Sequence, residues 1–323
     1  MEYTTLGSTG MSVSRICIGC GRFGRNDEAK LDDEAAAELV DRAIDLGVNF
    51  FDTANTYSSG QSEEILGAAL EGYDRDEMVV ATKVFFEMGD DPNAQGLSRK
   101  AIEQELQNSL DRLEMDTVDL YQIHRWDYDT PIEETLRTLD DAVRRGQVRY
   151  LGASSMWASQ FAEALYTSDR LNLERFVSMQ NHYNLVYREE EREMLRLCQE
   201  KGIGVIPWSP LARGFLARPL SELDSTPRGQ RLSESDRVER YRSNGGEEIN
   251  ERVAELAEAE GVSMAQIALA WLLHQEPVDA PIVGMSSIDH LEDAVEALEI
   301  SLSESDLAYL EAPYEPKPVT GHS

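Results

Sequence analysis

Eight short apolar runs, each followed by an amphipathic stretch, limit most strongly what this chain of 323 residues can fold into. The runs lie at 16–19, 48–53, 78–84, 118–124, 150–153, 176–180, 204–208 and 280–283. Between them, apolar residues recur at helical spacing over about 33–46, 62–72, 98–112, 131–145, 157–167, 188–201 and 263–275. Runs this short and apolar suit strands buried on both faces, the condition of a parallel sheet covered by helices. Glycines 47, 146 and 202 fall where helical stretches should end. Eight strand–helix units predict a sheet closed into a (β/α)8 TIM barrel. Residues 1–13 alternate around the turn residues Gly7 and Gly10, which predicts a short N-terminal β-hairpin.

An open, doubly wound sheet is the rival architecture, and it should begin with a G-x-G-x-x-G turn that opens directly onto a helix. Gly19, Gly21 and Gly24 match that spacing literally. The polar run RNDEAKLDDE follows them and leaves no helix for the glycines to open, so the barrel is the better reading. No Pro/Ser/Gly linker divides the chain, and one domain over 1–323 is expected, with a loose tail from about 314. The segment 214–246 breaks the rhythm: it is long, Arg-rich and carries Pro219 and Pro227. A long loop after the seventh strand is expected there, on the face where barrel active sites lie.

Charge narrows the partners. The chain has 61 acidic residues against 30 basic ones, a formal net charge of −31. Such a surface repels nucleic acid and anionic lipid, so neither is an expected partner. No signal peptide and no membrane-spanning apolar run is visible, and a cytoplasmic protein is expected. Lysine occurs only at positions 30, 83, 100, 201 and 317. Acid-rich, lysine-poor chains suit a very salty cytoplasm, where salt screens self-repulsion, so a halophilic protein is expected. Cys17, Cys20 and Cys198 read as small buried thiols, since no second Cys/His pair completes a metal site beside Cys17 and Cys20. Nothing in the chain speaks to oligomeric state.

Four polar residues interrupt or end the apolar runs. Asp52 closes the second run, Lys83 lies near the end of the third and His124 ends the fourth, while Tyr57 sits five residues beyond Asp52 in a loop. Strand ends of a barrel converge on one mouth, so residues distant in sequence can meet there. A free phenol, with a pKa near ~10, is a poor proton donor at neutral pH. A lysine ammonium beside a phenol favours the phenolate and suits it to proton transfer. Asp52 would hold the lysine charged and oriented, and His124 would donate a hydrogen bond to a carbonyl oxygen.

That set, in that order, resembles the catalytic Asp, Tyr, Lys and His of the aldo-keto reductases. The resemblance extends through GASS, SMQNHYN, PWSPLARGFL and PIVGMSSIDHLEDA, and so covers nearly the whole chain. It implies reduction of aldehyde or ketone carbonyls, sugar-derived ones included, with a hydride from a nicotinamide and a proton from Tyr57. It implies that Ser154 and Gln180 face the carboxamide, that Trp208 stacks on the nicotinamide, and that Ser209, Leu211 and Gly214 lie along the pyrophosphate. Gly284, Ser286, His290 and Asp293 would form the adenosine end. Serine follows Ser154 where the family usually has asparagine, and Ser286 stands where members that grip a 2′-phosphate often carry a base. NADP(H) is the expected cofactor, with Ser286, Arg213 or Arg228 toward its 2′-phosphate, and NAD(H) the alternative. Phe23, Phe86, Arg125 and Trp126 are expected to wall the pocket for a small-molecule carbonyl substrate.

Two other functions fit parts of the pattern. Some relatives of this family are cofactor-binding, redox-sensing regulatory subunits with little turnover, and the acidic surface argues against that role here. Lys83 as a Schiff-base lysine of a barrel aldolase would be trapped by borohydride.

Overall fold

The computed structural model describes residues 1–25, 30–225 and 236–322. Strands β1 (Tyr3–Thr5) and β2 (Ser12–Ser14) pair antiparallel as the N-terminal hairpin. Eight parallel strands follow: β3 (Cys17–Gly19), β4 (Phe50–Asp52), β5 (Val79–Val84), β6 (Val118–Ile123), β7 (Val148–Ser154), β8 (Phe176–Gln180), β9 (Gly204–Val205) and β10 (Ile282–Gly284). They lie in the order β10-β3-β4-β5-β6-β7-β8-β9. The two ends of the sheet meet, because the Ile282 amide donates to the Pro207 carbonyl and the Asp279 amide to the Val205 carbonyl, both at 2.9 Å. The result is a (β/α)8 barrel. Every residue of β4, β5 and β6 is buried, as strands with a packed interior on one side and helices on the other must be.

Helices α1 (Asp33–Asp45), α2 (Gln61–Ala69), α3 (Arg99–Leu113), α4 (Ile132–Arg144), α5 (Ala158–Leu171) and α6 (Met194–Lys201) form the outer layer along the first part of the chain. Asp32 and Ser98 cap α1 and α3 through side-chain oxygens, satisfying amides that the first helical turn leaves without a partner. The expected helix over 188–201 is instead a 3-10 turn, Glu189–Arg192, and then α6, with Glu193 at φ −140° breaking the ladder between them. Between Gly19 and Asp33 the chain turns through Cys20–Arg22 and opens no α-helix among the described residues.

The seventh strand is shorter than expected. It ends in regular pairing at Val205, and Pro207, which has no N–H, interrupts the ladder. Ile206 and Trp208 still donate, to Met179 at 3.1 Å and Asn181 at 2.8 Å. The long segment after it holds a 3-10 turn, Ala212–Ala217, and helices α7 (Leu220–Ser225) and α8 (Asp236–Arg242). Helix α9 (Gly246–Glu260), for which no element was expected, buries Ile249, Val253 and Ala257. Helices α10 (Met264–Leu273), α11 (Ile288–Glu296) and α12 (Glu304–Glu311) complete the chain.

The C-terminal tail is not loose. Tyr314 Oη and the Lys317 amide both donate to Glu189 Oε1, at 2.8 and 2.6 Å, and the Thr320 amide donates to Tyr187 Oη at 2.9 Å. Lys317 Nζ donates to the carbonyls of Arg240, Tyr241 and Ser243 at the end of α8. A polar, proline-rich composition predicts mobility, but here side-chain anchors from distant elements supply the order.

Candidate active site

Neighbouring strands deliver three of the four polar residues to the C-terminal rim. Asp52 is the last residue of β4, Lys83 lies one residue before the end of β5, and His124 follows β6 directly. Tyr57 opens the 3-10 turn Tyr57–Gly60 beyond β4. Lys83 is fully buried, and its Nζ donates to Asp52 Oδ1 at 2.5 Å, the Thr53 carbonyl at 2.8 Å and Tyr57 Oη at 3.2 Å. All three ammonium donors therefore have acceptors. Burial works against the charge, but Asp52 and Tyr57 outweigh it, and the lysine pKa sits above its ordinary value.

Asp52 Oδ2 accepts from the amides of Gln122 at 2.8 Å and Gln180 at 2.9 Å. Gln122 was not expected in the site. It shares a strand face with His124, two residues on, and that spacing is the signal that could have found it. The His124 ring meets the Tyr57 ring edge to face, with centroids 5.8 Å apart. Burial first, then the charges of Lys83 and Arg125, hold its imidazole well below the usual histidine range. Its Nδ1 is buried and has no hydrogen-bond partner among the described residues.

The turn that carries Tyr57 is strained. Ser58 and Ser59 have φ of 49° and 56°, and Gly60 follows at 93°. Left-handed backbone costs a non-glycine residue roughly 1–2 kcal/mol. Ser58 is held there by its hydroxyl, which donates to the Phe23 carbonyl at 2.6 Å.

A cavity of about 1910 Å³ opens from Asp52, Tyr57 and His124. It is larger than a pocket for one small ligand, typically 300–1,000 Å³, and has room for a dinucleotide and a substrate together. Ser154, Gln180, Trp208, Ser209, Leu211 and Gly214 lie along its wall, as do Gly284, Ser286, His290 and Asp293. The donors of Ser154 and Gln180 are turned inward, however. Ser154 Oγ donates to the Gln180 carbonyl at 2.9 Å, and Gln180 Nε2 reaches Asp52 and, at 3.1 Å, Gln122 Oε1. The segment after β9 is again left-handed, at Ser209, Ala212 and Arg213 (φ 55°, 48° and 60°). Arg213 and Arg240 bring guanidinium groups to this wall, the chemistry that phosphates need, whereas the Lys317 donors are taken by backbone carbonyls and Arg218 pairs with Glu222.

Trp208 is less free to stack than expected. One ring contact is already taken by His182, at 4.2 Å and 10°, and His182 is itself sandwiched against Tyr187 at 4.0 Å. His182 and Tyr187, which also line the cavity, were missed because both lie just beyond the strand-end Gln180, in a polar stretch whose side chains the sequence does not aim.

The expected substrate wall is partly corrected. Phe23 is 1% exposed and packs in the core, pulled inward by the short turn after β3. Trp126 packs against the core as well and does not reach the cavity lining. Phe86 packs edge-on against His124 with centroids 4.8 Å apart, and the Arg125 guanidinium lies over its ring at 5.5 Å. Arg125 lines the cavity, whereas Phe86, like Trp126, is not among the lining residues. At the end expected to hold the adenosine, Ser286 Oγ and His290 Nδ1 are 3.0 Å apart, and Arg228 lies outside the described residues.

Chemically, this is a phenol with its oxygen against a buried ammonium, beside a neutral imidazole, at the mouth of a phosphate-compatible cavity. Comparison with known proteins agrees in kind. Over 349 residues the chain is 41% identical to an aldo-keto reductase of Metarhizium robertsii, dtxS3, covering 100% of this chain and 94% of that protein. It is 39% identical to an aldo-keto reductase of Alternaria alternata, AMT2, covering 99% and 94%. It is likewise 39% identical to the versiconal hemiacetal acetate reductase of Aspergillus parasiticus, covering 99% and 98%. The sequence model described as the aldo/keto reductase family matches residues 15–315, and the chain belongs to that family of oxidoreductases.

Proposed function

We propose that this protein reduces aldehyde or ketone carbonyls to alcohols with NADP(H), and that Tyr57 supplies the proton. The observation that carries the reading is the placement of Lys83 Nζ between Asp52 and Tyr57. A bound nicotinamide would supply a hydride to the carbonyl carbon. Tyr57 gives its proton to the carbonyl oxygen, and the charge left on the phenol oxygen meets the ammonium 3.2 Å away. Asp52 keeps that ammonium charged. His124, neutral, donates a hydrogen bond that orients the carbonyl oxygen next to Tyr57. In the oxidative direction Tyr57 accepts the proton instead. Arg125, with Phe86 packed against it and His124, forms the substrate side, suited to a hydrophobic or sugar-derived carbonyl compound. A complete proton-donor set favours a working reductase over a regulatory subunit.

The Aspergillus relative is named for a hemiacetal acetate, which places aldehydes and masked aldehydes first in an activity screen. Cofactor oxidation with such a panel tests the reading. Tyr57→Phe is expected to lower kcat about 10²- to 10⁴-fold, the usual weight of general acid catalysis, with cofactor Kd little changed. Near-wild-type turnover in that variant would remove Tyr57 as the donor. For the nucleotide, Ser286, His290 and Arg213 are the polar groups offered to a 2′-phosphate, and kcat/KM with NADPH should exceed that with NADH.

A further inference from the structure

Behind the Tyr57 turn, on the side away from the cavity, lies a buried polar network that the reaction itself does not use. Arg112, on α3, donates from Nε to Glu63 Oε2 at 2.7 Å. Glu63, on α2, is fully buried, and its other oxygen accepts from Thr82 Oγ1. Arg112 also lies 3.8 Å from Glu105, which accepts from Asn55 Nδ2 at 2.9 Å. Thr82 directly precedes Lys83, and Asn55 stands midway between Asp52 and Tyr57. The same arginine forms the wall behind Gly60, where a Cβ in place of the glycine hydrogen would meet Arg112 Cδ at 2.7 Å. That close approach lies at the last residue of the left-handed run Ser58–Ser59–Gly60 that follows Tyr57. One guanidinium thus braces the backbone on both sides of the Tyr57–Lys83 contact.

We propose that Arg112 is a positioning residue for proton transfer, acting through Glu63 and the Gly60 turn to hold the Tyr57 hydroxyl against Lys83. The proposal rests on the reading of Tyr57 as proton donor and adds to it a residue that does not line the cavity. Two carboxylates buried together need a cation, and among the described residues Arg112 is the one that contacts both. A left-handed turn persists only while its surroundings over-determine it. A displacement of about 1 Å at a reacting group can cost about 10²-fold in rate.

The test is a double-mutant cycle read by steady-state reduction of 4-nitrobenzaldehyde with saturating reduced nucleotide. Arg112→Ala is expected to lower kcat at least 10-fold while the cofactor Kd, titrated by tryptophan fluorescence, stays within about twofold. Millimolar guanidinium should restore part of the lost kcat. In a Tyr57→Phe background the same substitution should cost less than about twofold, because the group it positions is gone. Arg112→Lys, which keeps a cation beside Glu63, should fall between wild type and Arg112→Ala and serves if the alanine variant does not fold. Equal fold losses in both backgrounds, or an unchanged kcat, would overturn the proposal. A crystal structure of either variant with Tyr57 Oη still about 3 Å from Lys83 Nζ would overturn it independently of any activity. By contrast, undiminished turnover in Tyr57→Phe alone would sink the donor assignment.

Discussion

His124 and His182 are buried imidazoles that stay neutral in the folded protein, and that neutrality sets a pH dependence. The His182 pKa is pushed down to about 3, by burial first and then by the charges of Arg213 and His322. In the unfolded chain the same ring takes a proton near its ordinary value of about 6.5. Below that pH the unfolded state binds more protons than the folded state, so stability falls as pH falls. Between pH 7 and pH 5 the His182 ring removes about 2 kcal/mol of stability, at 1.36 kcal/mol per pH unit below 6.5. Urea unfolding at the two pH values checks this with His182→Asn, which should lose about 2 kcal/mol less over the interval than wild type. Parallel losses would mean that the sandwiched ring accepts a proton without unfolding.

At the floor of the barrel the N-terminal hairpin, β9 and the lead-in to β10 meet on one carboxylate. Asp279 accepts from the Gly7 amide at 2.7 Å, and Gly7 packs so closely on Gly202 and Gly204 that no side chain fits between them. Burial raises the Asp279 pKa to about 6 against the pull of the Gly7 amide and Arg15. A raised carboxyl pKa means that the penalty is absent below the unfolded value near 4 and complete above the folded value near 6. Asp279→Asn keeps an acceptor for Gly7 and removes the penalty. It should therefore stabilise the protein by on the order of 2–3 kcal/mol at pH 7, and by nothing at pH 3.5, in chemical denaturation. An equal effect at both pH values would show that charge is not the cause. This floor also illustrates what could be read from the chain. The strands were legible because residues such as Phe50 and Val80 are apolar on both faces of a covered sheet, and the hairpin because turn residues separate two alternating runs. Strand-end Asp52, Lys83 and His124 stood out because each is ionisable in an apolar setting. Helix α9 was hidden by its acid-rich surface, and Pro207 shortened β9 in a way only the ladder reveals. Gln122 left only a weak trace, its two-residue spacing from His124, because an amide in a strand carries no charge signal, and the Arg112–Glu63 pair was not legible, since partners 49 residues apart meet only once the barrel has closed.

Across the whole molecule, the net charge of −31 and the chemistry of the cavity pull against each other. A dinucleotide carries negative phosphates, and the cavity would offer it Arg213 and Arg240. Beyond that wall the surplus of acidic residues repels it. Salt separates the two effects by range, since the screening length shrinks from about 10 Å at 0.1 M to about 3 Å at 1 M. Long-range repulsion is lost first, while contacts inside a partly desolvated cavity are screened much less. We propose that the protein is adapted to a salty medium. On that basis, kcat/KM for the dinucleotide should rise between about 0.05 M and 1 M KCl, the reverse of ordinary electrostatic steering, in which association slows with salt. The thermal midpoint should rise over the same range, because screening also relieves the self-repulsion of the acidic surface. If kcat/KM falls with salt and the midpoint stays level, the cavity cations dominate at all ranges and the acidic surface has no such role.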